Sequence, residues 1–212
     1  MYTGITRGTF PIIQVNQKPD LASYVLELDA DLLAGLERGA SICIDGVCQT
    51  VVEISGSKVQ IDAIRETLEL STLDTLEVGR KVTVERSARV GDEIGGHDIA
   101  GHVHGTGVIS EVHREGNAFD LSIRVPSEWM SCIFEKGFIA VDGSSLTVGN
   151  VDAAGSFTVH LIPETLRLTN LGRKQKGDRV NIELDARTVA IVRTVERVLG
   201  AEGHHGSGTS PS

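Results

Sequence analysis

Aromatic residues are scarce. Phe, Trp and Tyr make up 4% of 212 residues, with a single Trp. A core built on large rings is excluded, and 24 glycines point instead to many tight turns between short strands. Only three cysteines occur, Cys43, Cys48 and Cys132, and an odd number cannot all pair within one chain. That excludes a disulfide framework and makes a reducing, cytoplasmic setting the expectation. Basic residues number 20 against 29 acidic ones, for a formal net charge of −9. Nucleic-acid backbones need a dense Lys/Arg field, so no nucleic-acid partner is expected and a small polar ligand fits better. No apolar run approaches the ~20 residues of a membrane span, so no membrane association is expected. The segment Met1-Tyr2-Thr3-Gly4-Ile5 lacks a basic region followed by an apolar core, and no signal peptide is read there. With 40% hydrophobic and 23% charged residues, the chain has ordinary globular composition, which excludes disorder over most of its length.

What the sequence does carry is an internal repeat. Ile42-Cys43-Ile44-Asp45-Gly46-Val47-Cys48-Gln49-Thr50-Val51 matches Ile139-Ala140-Val141-Asp142-Gly143-Ser144-Ser145-Leu146-Thr147-Val148. Glu66-Thr67-Leu68-Glu69-Leu70 matches Glu164-Thr165-Leu166-Arg167-Leu168, and the stretch from Gly79 to Glu85 matches that from Gly177 to Glu183. The offset is 97 residues for the first pair (Asp45 to Asp142) and 98 for the others (Glu66 to Glu164, Gly79 to Gly177). Such a period is too long for a solenoid unit and indicates two tandem copies of one domain, each of roughly 90 residues.

Within each copy the pattern is mostly β. Ser41 to Ile54 is apolar or alternating around Asp45-Gly46, a strong hairpin pair. Lys58 to Ile64 and Lys81 to Arg86 read as strands, and the second copy repeats the scheme with Asp142-Gly143 as its turn. Short strands joined by turns suggest a small closed barrel, which leaves no exposed edge. A short helix is expected before each hairpin, at Asp31 to Leu36 and Ser127 to Phe134. After the second copy, Arg187 to Leu199 is helical, with Val189, Val192, Val195 and Leu199 on one stripe. Oligomerisation through that stripe is favoured over docking on the chain's own barrel. Gly203 to Ser212 reads as a disordered tail whose His204 and His205 are solvated.

These motifs resemble the riboflavin synthase family. The resemblance rests on Met1-Tyr2-Thr3-Gly4-Ile5, Asp45-Gly46-Val47-Cys48, Gly95-Gly96-His97, Gly101-His102-Val103, Asp142-Gly143 with Ser145-Leu146-Thr147-Val148, and Val180-Asn181-Ile182-Glu183. It runs from Met1 to about Leu199. The family implies an all-β fold, two tandem six-stranded Greek-key barrels plus a C-terminal helix. The expected divisions are a lumazine-binding barrel over residues 1–97, a second over 98–186, a trimerisation helix over 187–200 and a disordered tail over 201–212. The family also implies a reaction. Two molecules of 6,7-dimethyl-8-ribityllumazine exchange a four-carbon unit and become riboflavin and 5-amino-6-ribitylamino-pyrimidinedione, with neither cofactor nor metal. The working site is expected between the N-terminal barrel of one subunit and the C-terminal barrel of its neighbour in a homotrimer. Lumazine synthase is the further partner the resemblance suggests.

Residues matched between the copies are candidates for contact with the two substrates. Thr50 pairs with Thr147 and Thr67 with Thr165. Their hydroxyls suit a lumazine ring or ribityl chain, although threonine is also simply a good strand residue. The backbone of Asp62-Ala63-Ile64-Arg65-Glu66-Thr67, and of Leu161-Ile162-Pro163-Glu164-Thr165-Leu166, resembles the family's ring-binding edge. Gly4, Ile5, Thr6, Gln49, Gly101, Val103, Ser145 and Leu146 complete the expected contacts, with Lys136 on ribityl hydroxyls or merely solvated.

The copies also differ, and chemistry is expected at the differences. Cys48 stands against Ser145, Ser41 against Phe138 and His102 against Ile5. Cys48 reads as a nucleophile or polarisable ring contact, or as an ordinary buried strand-end thiol. Ser41 reads as a group that activates water or orients a ring atom. His102 is the candidate base for the 7-methyl proton, since histidine titrates near working pH. His97 is a weaker candidate for the same role, with a structural place at the linker favoured, and Cys43 and Cys132 are expected to be ordinary buried thiols. Tyr2, Thr6, Gln49, Asp98 to Ala100 and His104 depart from the family's pattern, and Gln49 suggests a more polar pocket edge.

The alternative function is a non-catalytic lumazine- or flavin-binding protein of the same family, as in luminous bacteria. Such proteins erode the second copy, whereas this chain keeps Asp142-Gly143, Ser145, Thr147 and Ile162-Pro163-Glu164-Thr165. A flavin-reductase barrel is rejected, because no Gly-rich strand–helix nucleotide site follows.

Overall fold

The computed structural model describes residues 1–116, 118–152 and 154–202. Strands β1 (Gly8–Lys18), β2 (Leu21–Glu27), β3 (Ser41–Ile44), β4 (Val47–Ser55), β5 (Lys58–Ile64) and β6 (Lys81–Arg86) close into an antiparallel barrel in the order β1-β2-β5-β4-β3-β6. Strands β7 (Gly105–Glu115), β8 (Ala118–Arg124), β9 (Phe138–Val141), β10 (Ser144–Asp152), β11 (Ser156–His160) and β12 (Arg179–Leu184) repeat that order in a second closed barrel. The expected fold class is therefore what is observed. Bulges recur at matching places, between Ile12 and Gln14 and again between Ile109 and Glu111. They supply the bend a small barrel needs to close.

Alternation decides what fills each barrel. Ile42, Ile44, Val47 and Val51 point inward to the first core with Tyr24, Leu26 and Ile61. Ile139, Val141, Leu146 and Val148 do the same in the second, with Leu121 and Phe157. The remaining positions of the same strands face outward, and the candidate site is built from them.

The short helices differ in extent from their expected positions. Helix α1 (Ala30–Leu33) begins early because the Asp29 carboxylate accepts from the Leu32 amide, and it stops before Gly35 at φ 66°. Ser127–Cys132 is a 3-10 turn. Helices α2 (Arg65–Leu70) and α3 (Pro163–Leu168) follow β5 and β11 at equivalent places.

The barrels meet around an approximate twofold axis. Asp45-Gly46 and Asp142-Gly143 form turns with positive φ at both positions, as a two-residue hairpin requires. Their tips cross so closely that a Cβ on Gly46 would lie 2.5 Å from the Gly143 nitrogen. Asp45 is fully buried and binds the Thr83 amide (2.7 Å), Arg80 (2.8 Å) and Asn170 of the other barrel (3.1 Å). Burial and the nearby Asp142 carboxylate push Asp45 up, and Arg80 opposes them. Asp142 takes Lys174 at 3.1 Å and the Asn181 amide. A cavity of about 580 Å³ at this junction is lined by Arg80, Lys81, Arg173, Lys174 and Arg179. It contains none of the candidate site residues. Of its cations, Arg80 and Lys174 are paired with the buried aspartates and Arg179 with Asp74.

Helix α4 (Ala186–Glu202) runs past its expected end, and residues 203–212 of the expected tail, His204 and His205 included, lie outside the described residues. Its stripe splits. Val189 and Val192 pack on the second barrel, so that part of the expectation is corrected from oligomer contact to docking on its own core. Ile191, Val195, Val198 and Leu199 are 50–66% exposed and find no cover within the chain among the described residues. No helix among the described residues is long and apolar enough to cross a membrane.

Candidate active site

Two outward faces, one per barrel, collect the candidate residues. On the first barrel Ser41 lies opposite Thr50, and Cys43 lies opposite Cys48. The β4–β5 pairing sets Val51 against Ile61, so Asp62 and Ile64 continue beside Thr50 and Cys48 on the outer surface. Thr50 is exposed and Ile64 is 54% exposed, leaving the face open to solvent. The second barrel repeats this with Phe138 opposite Thr147, Ala140 opposite Ser145, and Ile162 at 63% exposure.

Each face is bordered by a strap from the other repeat. The strap on the first face is Ile99 to Val103. Its Ala100 and Gly101 amides donate to Glu183 of the second barrel (2.7 and 2.9 Å), and the Gly101 carbonyl accepts from the Cys48 amide at 2.8 Å. His102 follows Gly101 on this strap and is exposed, and the Tyr2 hydroxyl donates to the Cys48 sulfur at 3.1 Å. The strap on the second face is Tyr2 to Ile5. Its Thr3 and Gly4 amides donate to Glu85 of the first barrel (2.7 and 3.1 Å), and the Gly4 carbonyl accepts from the Ser145 amide at 3.0 Å. Tyr2 and Ile99 pair by two backbone hydrogen bonds between the straps. Burial pushes both glutamates up, against the pull of these amide donors.

Only glycine fits at the crossing points. Gly101 has φ +80°, and a Cβ there would lie 2.7 Å from the Cys48 Cβ and 2.9 Å from its nitrogen. Gly4 has φ +74°, and its Cβ would lie 2.5 Å from the Ser145 Cβ.

The structure therefore groups the expected residues in a crossed way. Ser41, Cys48, Thr50, the Asp62–Thr67 edge, Gly101 and His102 lie together on the first face. Ser145, Thr147, the Leu161–Leu166 edge, Gly4 and Ile5 lie together on the second. Lys136 is exposed at the margin of the second face, with φ 65° where the first copy has Gly39. Its amide donates to the Val148 carbonyl, a bond the first copy makes from Gly39 to Val51.

Some side chains do not reach these faces. Gln49 and Leu146 turn inward because they alternate with Cys48 and Thr50, and with Ser145 and Thr147. Gln49 thus corrects the expectation of a polar pocket edge. Its Nε2 donates to the Cys48 carbonyl and its Oε1 is buried without a partner. Ala63 and Leu161 are in the cores, Thr6 is buried, and Val103 packs on the first core, so these offer backbone at most.

His97, assigned to the linker from sequence, lies on the second face. Its Nδ1 is 2.6 Å from the Ser145 hydroxyl and its ring stacks on Phe138 at 5.1 Å. Burial holds His97 below the ordinary imidazole range, and the same cause acts on His104. The unfolded chain then takes up protons first as pH drops through about 6.5, and stability is lost with acidification. The thermal midpoint is expected to fall between about pH 7 and 5.5, and His97→Asn to flatten that fall. Parallel slopes in wild type and variant, followed by calorimetry, would remove His97 from this account.

The chain matches the lumazine binding domain family twice, over residues 3–87 and 100–185. It is 47% identical over 202 residues to riboflavin synthase of Escherichia coli K12, covering 95% of this chain and 94% of that one. It is 39% identical over 200 residues to riboflavin synthase of Buchnera aphidicola subsp. Schizaphis graminum, covering 94% and 96%. Among solved structures it is similar to LumP complexed with riboflavin, with a TM-score of 0.81, 25% identity and coverage of 87% and 100%. LumP complexed with 6,7-dimethyl-8-(1'-D-ribityl) lumazine gives a TM-score of 0.78 at 26% identity, covering 86% and 98%.

Proposed function

The chain belongs to the riboflavin synthase family, and from that premise we propose that its two faces hold the two lumazine molecules of one dismutation. The activity is that of a transferase. One 6,7-dimethyl-8-ribityllumazine gives up a four-carbon unit and leaves as 5-amino-6-ribitylamino-pyrimidinedione, while the other receives it and becomes riboflavin. The alternative of a non-catalytic flavin binder has less support, since identity to the synthases is 38–47% and to LumP 25–26%.

One observation carries the reading. The two faces are equivalent, each is finished on one border by the opposite repeat, and each leaves an isoleucine, Ile64 or Ile162, open on the outside. Apolar surface of that kind suits a flat ring, with Thr50, Ser41 or Thr147 beside it for polar atoms. Neither face is enclosed within one chain, so a neighbour must close it. Ile191, Val195, Val198 and Leu199 on α4 supply the means of assembly, and a homotrimer places the first face of one subunit against the second face of the next. Holding two reactants in a reactive pose supplies roughly 7–11 kcal/mol of the barrier. His102 takes the 7-methyl proton, Cys48 and Ser41 work on the same face, and His97 with Ser145 orients the second substrate. Three unpaired cysteines agree with a cytoplasmic setting. Lumazine synthase is the further protein expected to associate with it.

The test is incubation with the lumazine alone. Riboflavin absorbance should grow in step with loss of the lumazine, and lumazine binding without product would point to a binder. Val195→Glu combined with Leu199→Glu should shift the assembly to monomers in sedimentation and lower turnover, with partial recovery at high protein concentration. A trimer that survives both charges would place the interface elsewhere.

A further inference from the structure

We propose that Cys43 and Cys48 are a dithiol pair that closes to a reversible disulfide and switches the first face off. This rests on the reading of Cys48 as a working residue of that face. The two cysteines are direct cross-strand partners in the β3–β4 hairpin. Asp45-Gly46 is a two-residue turn, so the closing pair Ile44 and Val47 is hydrogen-bonded and the next pair, Cys43 and Cys48, is not. The Cys48 amide bears this out, since it donates away from Cys43 to the Gly101 carbonyl. Residues at such a pair share one face, with Cα atoms about 4.5 Å apart. That is the short end of the range a disulfide spans, so rotation about the Cα–Cβ bonds suffices to join the sulfur atoms.

Access is graded in the order the chemistry needs. Cys48 is half-buried at the open face, whereas Cys43 is 2% exposed behind it, against Tyr2 and Ile99. Burial also pushes the Cys43 thiol up, so a solvent oxidant meets a more reactive sulfur at Cys48. The Tyr2 hydroxyl donates to the Cys48 sulfur and holds it at the open side of the pair. With a peroxide as oxidant, the Cys48 thiolate attacks one oxygen and releases hydroxide, leaving a sulfenic acid. Cys43 then attacks the Cys48 sulfur and displaces the hydroxyl group as water, which carries off the Cys43 proton. Two thiols lose two electrons and two protons in all, and one peroxide becomes two waters. Nothing comparable exists on the second face, where Ala140 stands opposite Ser145. Cys132, in the second core, has no part in the pair.

The experiment uses the full chain treated with a few equivalents of hydrogen peroxide, then with dithiothreitol. Riboflavin formation should fall by about tenfold or more and return on reduction. The intact mass should drop by two hydrogens, and peptide mapping should link Cys43 to Cys48. Cys43→Ala copies the residue at the matching position of the second barrel. It should keep basal turnover, form no link, and pass under peroxide to a sulfinic acid that dithiothreitol does not restore. Absence of the linked peptide from oxidised wild type overturns the proposal, and so does equal recovery of Cys43→Ala. A linked enzyme with full turnover also overturns the switch. In that case Cys48→Ser assayed under reducing conditions shows whether the reading of Cys48 fails with it.

Discussion

Gly101→Ala is expected to lower riboflavin formation by about 10²-fold, the scale of a reacting group misplaced by about 1 Å. The added methyl meets the Cys48 Cβ at 2.7 Å and the Cys48 nitrogen at 2.9 Å, and neither is the far end of a flexible side chain. Tyr2 closes the third side at 3.0 Å. The residue must also hold φ +80°, which costs an alanine roughly 1–2 kcal/mol. The strap has to lift from β4. Lifting breaks the bond from the Cys48 amide and draws His102 away from Cys48, while Glu183 still grips the strap from the other side. Gly4→Ala should do the same to the second face through Ser145, with Glu85 as the grip. Product binding by fluorescence and the thermal midpoint, measured beside turnover, separate a displaced strap from an unfolded chain. Near-wild-type turnover in both variants would show that the straps do not position the chemistry.

The straps also mark where sequence reasoning stops. The two copies were legible because hairpin, edge helix and last strand recur at offsets of 97 and 98, and Asp-Gly fixes the turn chemistry locally. Strand positions followed from alternation. The exchange of straps between barrels was not legible, because it depends on how two finished barrels pack. One trace of it was present: Glu85 and Glu183 recur at the same place in both copies, on strand positions that face out. Two buried acids at equivalent sites signal amides to be held, and the amides prove to be those of the opposite repeat's strap. His97 was ranked below His102 for the same reason. It follows Gly95-Gly96, and only the packed form shows a Cβ on Gly96 meeting the Thr3 carbonyl at 2.1 Å and Ser145 at 2.7 Å. The α4 stripe was legible only in part, because periodicity gives a face and not its partner. Val189 and Val192 pack on the second barrel, whereas Val195 and Leu199 of the same stripe remain open beside Ile191 and Val198.

Cys48→Ser and His102→Gln are the sharper probes of the chemistry. Both residues stand where the copies differ, and the strap that carries His102 is bonded through Gly101 to Cys48. A single acid–base group contributes about 10²–10⁴ in rate, so each variant should lose that much turnover and no more. Cys48→Ser turns the first face's residue into the one the second face carries at Ser145. The new hydroxyl still accepts from Tyr2, so the pocket keeps its shape and its hydrogen bond while losing the softer, more acidic sulfur. Product binding should therefore persist as turnover falls. His102→Gln keeps a hydrogen-bonding head of similar reach but cannot take a proton. Its turnover should fall by that factor while product binding persists. Steady-state riboflavin formation across pH, beside product binding, tests both variants. If both keep near-wild-type rates, catalysis rests on bringing two substrates together, and neither side chain takes part in proton transfer or bond making. If binding collapses with turnover, the two residues shape the face and do not act on the reacting atoms.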